Sequence, residues 1–125
     1  MPSDVPVRAI RGATQVDADD ATQILGRTRE LLAAILAENA LTSDAVVDVI
    51  FTATLDLRSR TPAEAARALG WTDVPLLCVQ EMDVDHALPR CIRVLMHVQT
   101  DTARTGLTHV YLHGARALRP DLAAG

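Results

Sequence analysis

Apolar residues follow two kinds of pattern along this chain, short strand-like runs and longer segments with helical spacing. The strand-like runs cover residues 7–16, 45–53, 74–79, 91–100 and 108–113. Apolar residues at helical spacing fill the intervals before the second and third runs. The order β, α, β, α, β, β, β predicts an α+β (mixed α/β) fold. We expect a five-stranded mixed sheet with two helices on one face, which leaves the other face for a partner.

Both predicted helices begin at residues suited to a helix start. The first follows the carboxylates of residues 17–20, which can cap it, and continues to Glu38. The second begins at Thr61, and Glu64 is placed to complete a capping box with it. It ends before Gly70, a residue type suited to a left-handed helix cap.

Composition and charge restrict the possible partners. The chain has 125 residues, of which 49% are hydrophobic and only 2% aromatic, so one aliphatic core is expected. The net charge is −4 and arginines form no cluster, which argues against a nucleic-acid partner. The longest apolar stretch, residues 31–37, is far shorter than the roughly 20 residues that cross a bilayer.

These features indicate a single domain over residues 1–125 that has no membrane partner. No secretory signal is visible, and Cys78 and Cys91 both lie in apolar runs, where free thiols are usually buried. We therefore expect a reduced, cytoplasmic protein. Residues 1–6 and 123–125 are expected to be flexible.

Ionisable residues interrupt the apolar runs and indicate a site. Glu81 follows the third run, Arg93 lies inside the fourth, and Arg11 shares the small-residue face of the first. The acid and the arginines could form a buried ion-pair network. Alternatively, these residues could bind a small dianion that carries a hydroxyl group. The positive charges of Arg11, Arg93 and, as a third candidate, Arg8 outnumber the single negative charge of Glu81.

Other chemistries find little support in the sequence. His97, His109 and His113 lack a metal-binding spacing, so no metal is predicted. Cys78 lacks a basic partner that would make it a nucleophile. No glycine-rich phosphate loop or nucleotide fingerprint is present, and we expect no cofactor.

Five motifs, in the same order, resemble the monofunctional chorismate mutases of the AroH type. The motifs are VRAIRGAT (7–14), CVQEMDV (78–84), CIRVLMHVQTD (91–101), HVYL (109–112) and LRPDL (118–122). The resemblance implies a homotrimer with a pseudo-barrel core and three active sites between neighbouring subunits. It also implies the Claisen rearrangement of chorismate to prephenate, on the route to phenylalanine and tyrosine. This concerted reaction needs no nucleophile, acid, base, metal or cofactor.

The resemblance also implies roles for individual residues. Arg93 would donate to the ether oxygen that gains charge as its bond to carbon breaks. Arg11 would pair with a substrate carboxylate, with Tyr111 beside it. Glu81 would bind the ring hydroxyl, assisted by Cys78. Holding the enolpyruvyl arm over the ring would supply the rest of the rate enhancement by restricting the conformational freedom of the substrate.

Four further positions concern the wall of the pocket. Arg67 matches a family arginine at the mouth of the site, and Leu118 matches an apolar wall residue. This chain departs from the family pattern at Thr61, where a phenylalanine often lines the pocket. It departs again at Leu77, where a threonine often precedes the site cysteine.

Two other functions would fit a trimer of this size. One is an imine or enamine hydrolase of the RidA type, which also places an arginine at a subunit cleft but activates water. The other is a non-catalytic trimer that binds a dicarboxylate metabolite without turnover.

Overall fold

A five-stranded sheet organises the chain in the computed structural model, which describes residues 4–118. The strands are β1 (Val7–Gln15), β2 (Val46–Ala53), β3 (Leu76–Gln80), β4 (Cys91–Gln99) and β5 (Val110–Tyr111). Their spatial order is β3-β2-β4-β1-β5. The central strand β4 is antiparallel to β1 and β2, whereas the outer pairs β2–β3 and β1–β5 are parallel. The prediction of a five-stranded mixed sheet is confirmed.

Two α-helices, α1 (Ala21–Glu38) and α2 (Ala63–Ala68), cover one face of this sheet. Asp20 caps α1, because its Oδ2 accepts a hydrogen bond of 3.0 Å from the backbone N–H of Gln23. The core between helices and sheet is mainly aliphatic, as expected. Its buried residues are Ile10, Leu31, Leu32, Ile35, Val49, Phe51, Ala63, Ala66, Trp71, Val94, Met96, Val98 and Val110. Among the described residues, no helix combines the length and apolarity needed to span a membrane.

Helix α1 packs closely on β1 at Gly12. A Cβ atom at this position would lie 2.8 Å from Ile35 Cδ1 and 3.1 Å from Leu31 Cδ1. Glycine therefore allows the helix to approach the strand, and this contact fixes the position of the neighbouring Arg11 on the opposite face.

The start of the second helix differs from the prediction. Helix α2 begins at Ala63 rather than Thr61. The Thr61 hydroxyl donates to Glu64 Oε2 at 3.1 Å, a bond between side chains, and no side-chain hydrogen bond caps the backbone of α2. Its other end agrees with the prediction, since Gly70 has a positive φ of 88°.

The last strand is shorter than predicted. Only Val110–Tyr111 pair with β1, whereas the alternating pattern predicted a strand over residues 108–113. The chain turns at His113, whose φ is 53°, and His113–Leu118 form a 3-10 helix. This turn carries Leu118 back over the sheet.

The predicted flexible ends are described only in part. The backbone N–H of Thr100 donates to Pro6 O at 3.0 Å, so Pro6 is attached to the end of the sheet. Residues 1–3 and 123–125 lie outside the described part of the chain, and the LRPDL motif (118–122) lies within it only at Leu118.

Candidate active site

One row of residues crosses all five strands on the sheet face that the helices leave open. Strand register aligns, from β5 to β3, Tyr111, Ala13, Arg93, Thr52 and Val79. Directly opposed residues project from the same face of a sheet. Arg93 therefore lies at the centre of this face, between Ala13 and Thr52. Its side chain is 46% exposed.

Arg11 lies on the same face, in the next row. It is opposite Leu95, which in turn is opposite Ile50. The Arg11 side chain is exposed, and its backbone N–H donates to His109 Nδ1 at 2.9 Å. That bond anchors β1 beside the start of β5. Arg11 and Arg93 thus share one open surface.

Glu81 reaches the same surface from the end of β3. Its backbone N–H donates to Ala53 O at 2.9 Å, which extends the parallel pairing by one residue. Its Oε2 lies 3.5 Å from Arg93 Nε and also accepts a hydrogen bond from the Thr52 hydroxyl. The Glu81 side chain is only 19% exposed. The acid and the guanidinium predicted to share a cleft are therefore neighbours.

The ion pair does not form the sealed network that was the alternative interpretation. Nearly half of the Arg93 side chain remains accessible, so the guanidinium is available to a ligand. A cleft of about 370 Å³ opens beside Glu81, between residues 54–56 and the connection 82–89. The Glu81 carboxylate of the ion pair with Arg93 therefore borders an open cleft.

A small apolar cluster lies beside Arg93 on the open face. Ala13, Cys91 and Ala115 are buried there, and Tyr111 and Leu118 pack against them. Burial raises the pKa of the Cys91 thiol to about 11. The thiol is therefore neutral near pH 7 and adds no charge to the environment of Arg93.

One of the predicted binding residues, Cys78, lies on the helix-covered side of β3. Cys78 is opposite Phe51, a residue of the helix-covered core, and borders a pocket of about 180 Å³ with Thr61 and Pro62. Cys78 is exposed, which corrects the expectation that both cysteines are buried. It belongs to an edge strand, which has a neighbouring strand on one side only among residues 4–118.

Arg67 lies further along the helix-covered side. It is exposed in the last turn of α2 and borders a cavity of about 240 Å³ with Trp71 and Leu76. Leu77 alternates with Cys78 and projects from the open face, opposite Ile50, where it is 56% exposed. Within one chain, therefore, Arg67 and Cys78 do not face the surface that holds Arg93.

Other residues considered from sequence have separate partners. Arg8 Nε donates to Thr102 O at 3.3 Å and borders a different cavity, so it does not join Arg11 and Arg93. His97 Nδ1 contacts Asp48 Oδ1 at 2.7 Å, and His113 Nε2 contacts Glu30 Oε1 at 2.8 Å. Among residues 4–118, no three His, Cys, Asp or Glu side chains come together as a possible metal site.

Sequence reasoning did not identify Thr52 as a site residue. Its hydroxyl contacts Glu81 on the open face, between Arg93 and Val79. The available signal was a polar side chain within the apolar run AVVDVIFTA (45–53). That signal alone could not indicate which acid the hydroxyl would contact.

Comparisons with known proteins place almost the whole chain in one family. Residues 7–122 match the family described as Chorismate mutase type I. The chain is 48% identical over 117 residues to Chorismate mutase AroH of Bacillus subtilis, covering 93% of this chain and 92% of that protein. It is 50% identical over 117 residues to Chorismate mutase AroH of Thermus thermophilus, with coverage of 93% and 96%.

A solved structure extends the similarity to three dimensions. The chorismate mutase from Clostridium thermocellum superposes with a TM-score of 0.86 at 46% identity, over 87% of this chain and 97% of that one. Sequence and fold agree over almost the whole length, and the chain belongs to the family of type I chorismate mutases.

Proposed function

We propose that this protein is an isomerase that converts chorismate to prephenate by a Claisen rearrangement. The single observation that carries the proposal is the accessible Arg93 guanidinium beside Glu81 on the open sheet face, in a chain of this family. Its relatives in Bacillus subtilis and Thermus thermophilus bear the name chorismate mutase. Membership of the family and the chemistry of Arg93 and Glu81 therefore support the same proposed reaction.

Arg93 carries the main electrostatic role in this proposal. As the bond between the ether oxygen and the ring carbon breaks, negative charge builds on that oxygen, and the guanidinium donates to it. Donors directed at developing charge commonly contribute about 3 to 4 kcal/mol to transition-state stabilisation. Since no proton changes place in the reaction, the proposal needs no general acid, general base or cofactor.

The remaining residues of the open face bind and orient the substrate. Arg11 pairs with a carboxylate, with Tyr111 beside it, and Glu81 accepts a hydrogen bond from the ring hydroxyl. Leu118 forms part of the apolar wall. Holding the enolpyruvyl arm above the ring removes conformational freedom before the reaction, which lowers the entropic part of the barrier.

Cys78 and Arg67 contribute to the same site from a second copy of the chain. The support is geometric: they lie on the helix-covered side of β3, whereas Arg11, Arg93 and Tyr111 occupy the open face. Leu77 and Val79 on this edge are 56% and 42% exposed, an apolar surface suited to an interface. We therefore propose a cytoplasmic homotrimer whose sites lie between neighbouring subunits.

The direct test follows the ultraviolet absorbance of chorismate with purified protein. We expect the absorbance to fall much faster than in buffer, with prephenate as the product. Release of ammonia from an enamine without loss of chorismate would favour the hydrolase alternative. Saturable binding without turnover would favour the metabolite-binding alternative, and either result would overturn the proposal.

Mixing two variants, each impaired in a different half of the proposed site, tests whether sites are shared between subunits. Arg93→Ala damages one half of the proposed site and Arg67→Ala the other. After unfolding and refolding together, some sites would combine two undamaged halves, so part of the activity should return. Activity no higher than the sum of the separately refolded variants would contradict a shared site. Light scattering checks the trimer independently.

A further inference from the structure

Thr52 contacts the same carboxylate oxygen that faces Arg93. The Thr52 hydroxyl donates to Glu81 Oε2, and Arg93 Nε lies 3.5 Å from that atom. Among residues 4–118, no hydrogen bond is made to the other carboxylate oxygen, Oε1. The two oxygens of Glu81 therefore have different surroundings.

Glu81 would lack a defined orientation without this bond. It follows the last residue of β3, and its backbone N–H donates to Ala53 O. A glutamate side chain has three rotatable bonds, and an arginine beside it can donate to either carboxylate oxygen or to both. Arg93 alone would therefore allow several arrangements, including one that occupies both oxygens.

Thr52 has the rigidity needed to select one arrangement. It lies inside β2, in register with Arg93 on one side and Val79 on the other. Its β-branched side chain has few rotamers, so the direction of its hydroxyl is restricted by the strand. A donor fixed to the sheet holds Oε2 and leaves Oε1 available.

We propose that Thr52 is a positioning residue for this reaction: its hydroxyl holds Glu81 Oε2 so that Oε1 is presented to the ring hydroxyl of the substrate. The inference rests on the proposed function, because it assigns Glu81 the substrate hydroxyl as a partner. Thr52 itself does not touch the substrate.

The first test compares Thr52→Val with Thr52→Ser. Valine keeps the branched shape but removes the donor, and loss of one hydrogen bond to a charged group should lower kcat/KM about ten- to a hundredfold. The loss should fall mainly on KM, since Glu81 holds the hydroxyl in the ground state and the transition state alike. Serine retains the donor and should stay within about threefold of the wild type.

Thr14→Val is the matched control. Thr14 is buried in strand β1, which β4 separates from β2, and its hydroxyl has no hydrogen-bond partner within the described residues. The same chemical change there should leave KM and kcat unaltered. Thr52→Ala, which removes the hydroxyl without adding a methyl group in its place, repeats the test if the valine variant does not fold.

A second readout separates positioning from a general loss of packing. The binding of a chorismate analogue that lacks the ring hydroxyl should be equal in the wild type and in Thr52→Val, because Glu81 has no hydroxyl to meet. A loss as large as that seen with chorismate would overturn the inference. So would wild-type KM and kcat in both Thr52→Val and Thr52→Ala. If the wild type itself fails to convert chorismate, it is the proposed function that fails.

Discussion

Arg93 Nε lies 3.5 Å from Glu81 Oε2, yet the Arg93 side chain keeps almost half of its surface exposed. Paired charges that are fully buried commonly neutralise one another and serve structure alone. Here the acid is held by β2 and β3 while the arginine remains accessible from the open face. The pair can therefore bind a substrate that offers both a hydroxyl group and a developing negative charge.

The rate of turnover should depend little on pH between about 6 and 8, because no essential acid or base is required to titrate in that range. Carboxylates are ionised and arginines protonated throughout this interval. The pKa of about 11 for Cys91, raised by burial, keeps that thiol neutral as well. Steady-state kcat measured in buffers of constant ionic strength checks this. A sharp bell-shaped profile would contradict catalysis without proton transfer.

The two thiols should differ in reactivity. Thiolates are the reactive species, and burial raises the pKa of Cys91 to about 11, so native protein near pH 8 should carry no adduct there after iodoacetamide treatment. Cys78 is exposed in the single chain and, in the proposed trimer, borders the substrate cleft between subunits, so it is the residue expected to react. Peptide mass spectrometry identifies the modified residue, with protein in denaturant as the control in which both react. Modification of Cys91 before Cys78 in native protein would be inconsistent with this account.

Asp19 should make stability depend on acid pH. Backbone N–H bonds of 2.9 Å from Arg58 and Ser59 to its Oδ1 lower the pKa of this carboxyl below 3.8. A lowered pKa means that the stabilisation is complete above the unfolded-state pKa of about 3.9 and is lost as pH falls through the folded-state value.

Unfolding in urea measures this effect against Asp19→Asn, which keeps an acceptor but removes the charge. The wild type should be more stable by a constant amount at neutral pH, and the difference should shrink below about pH 4. A difference that stays unchanged down to about pH 2 would show that the charge of Asp19 is not responsible.

Gly12→Ala should destabilise the protein by about 1 to 3 kcal/mol, the usual cost of inserting a methyl group into a packed core. The new Cβ would lie 2.8 Å from Ile35 Cδ1, so α1 or the Ile35 side chain must move. Unfolding in urea measures the change in the free energy of unfolding. Gly26→Ala is a suitable control, since its Cβ would meet nothing within 4 Å, and alanine should stabilise helix α1 there. Equal stability of the Gly12 variant and the wild type would contradict the close packing.

Strand alternation allowed the sheet face that carries Arg93 to be predicted from sequence. Arg93 alternates with buried Ile92 and Val94, and this period-two pattern fixed the face on which it lies. The same reasoning assigned Arg11 to its face. These predictions succeeded because side-chain direction in a strand is a local property.

Features that depend on tertiary register were not predicted. The exposure of Cys78 follows from the place of β3 at the edge of the sheet, which an apolar sequence run does not reveal. The contact of Thr52 with Glu81 joins residues 29 positions apart through parallel pairing. The short β5 results from the positive φ at His113, a conformation that histidine adopts less readily than glycine.

The most direct test of the account measures chorismate turnover by Arg93→Ala beside Arg29→Ala. Arg29 is an exposed arginine of α1, away from the open face, and its variant should keep normal kcat. Loss of the Arg93 donor should lower kcat about a hundred- to a thousandfold, while circular dichroism and light scattering show the same fold and assembly. A folded Arg93→Ala protein with kcat close to that of the wild type would contradict the central claim that this guanidinium stabilises the transition state.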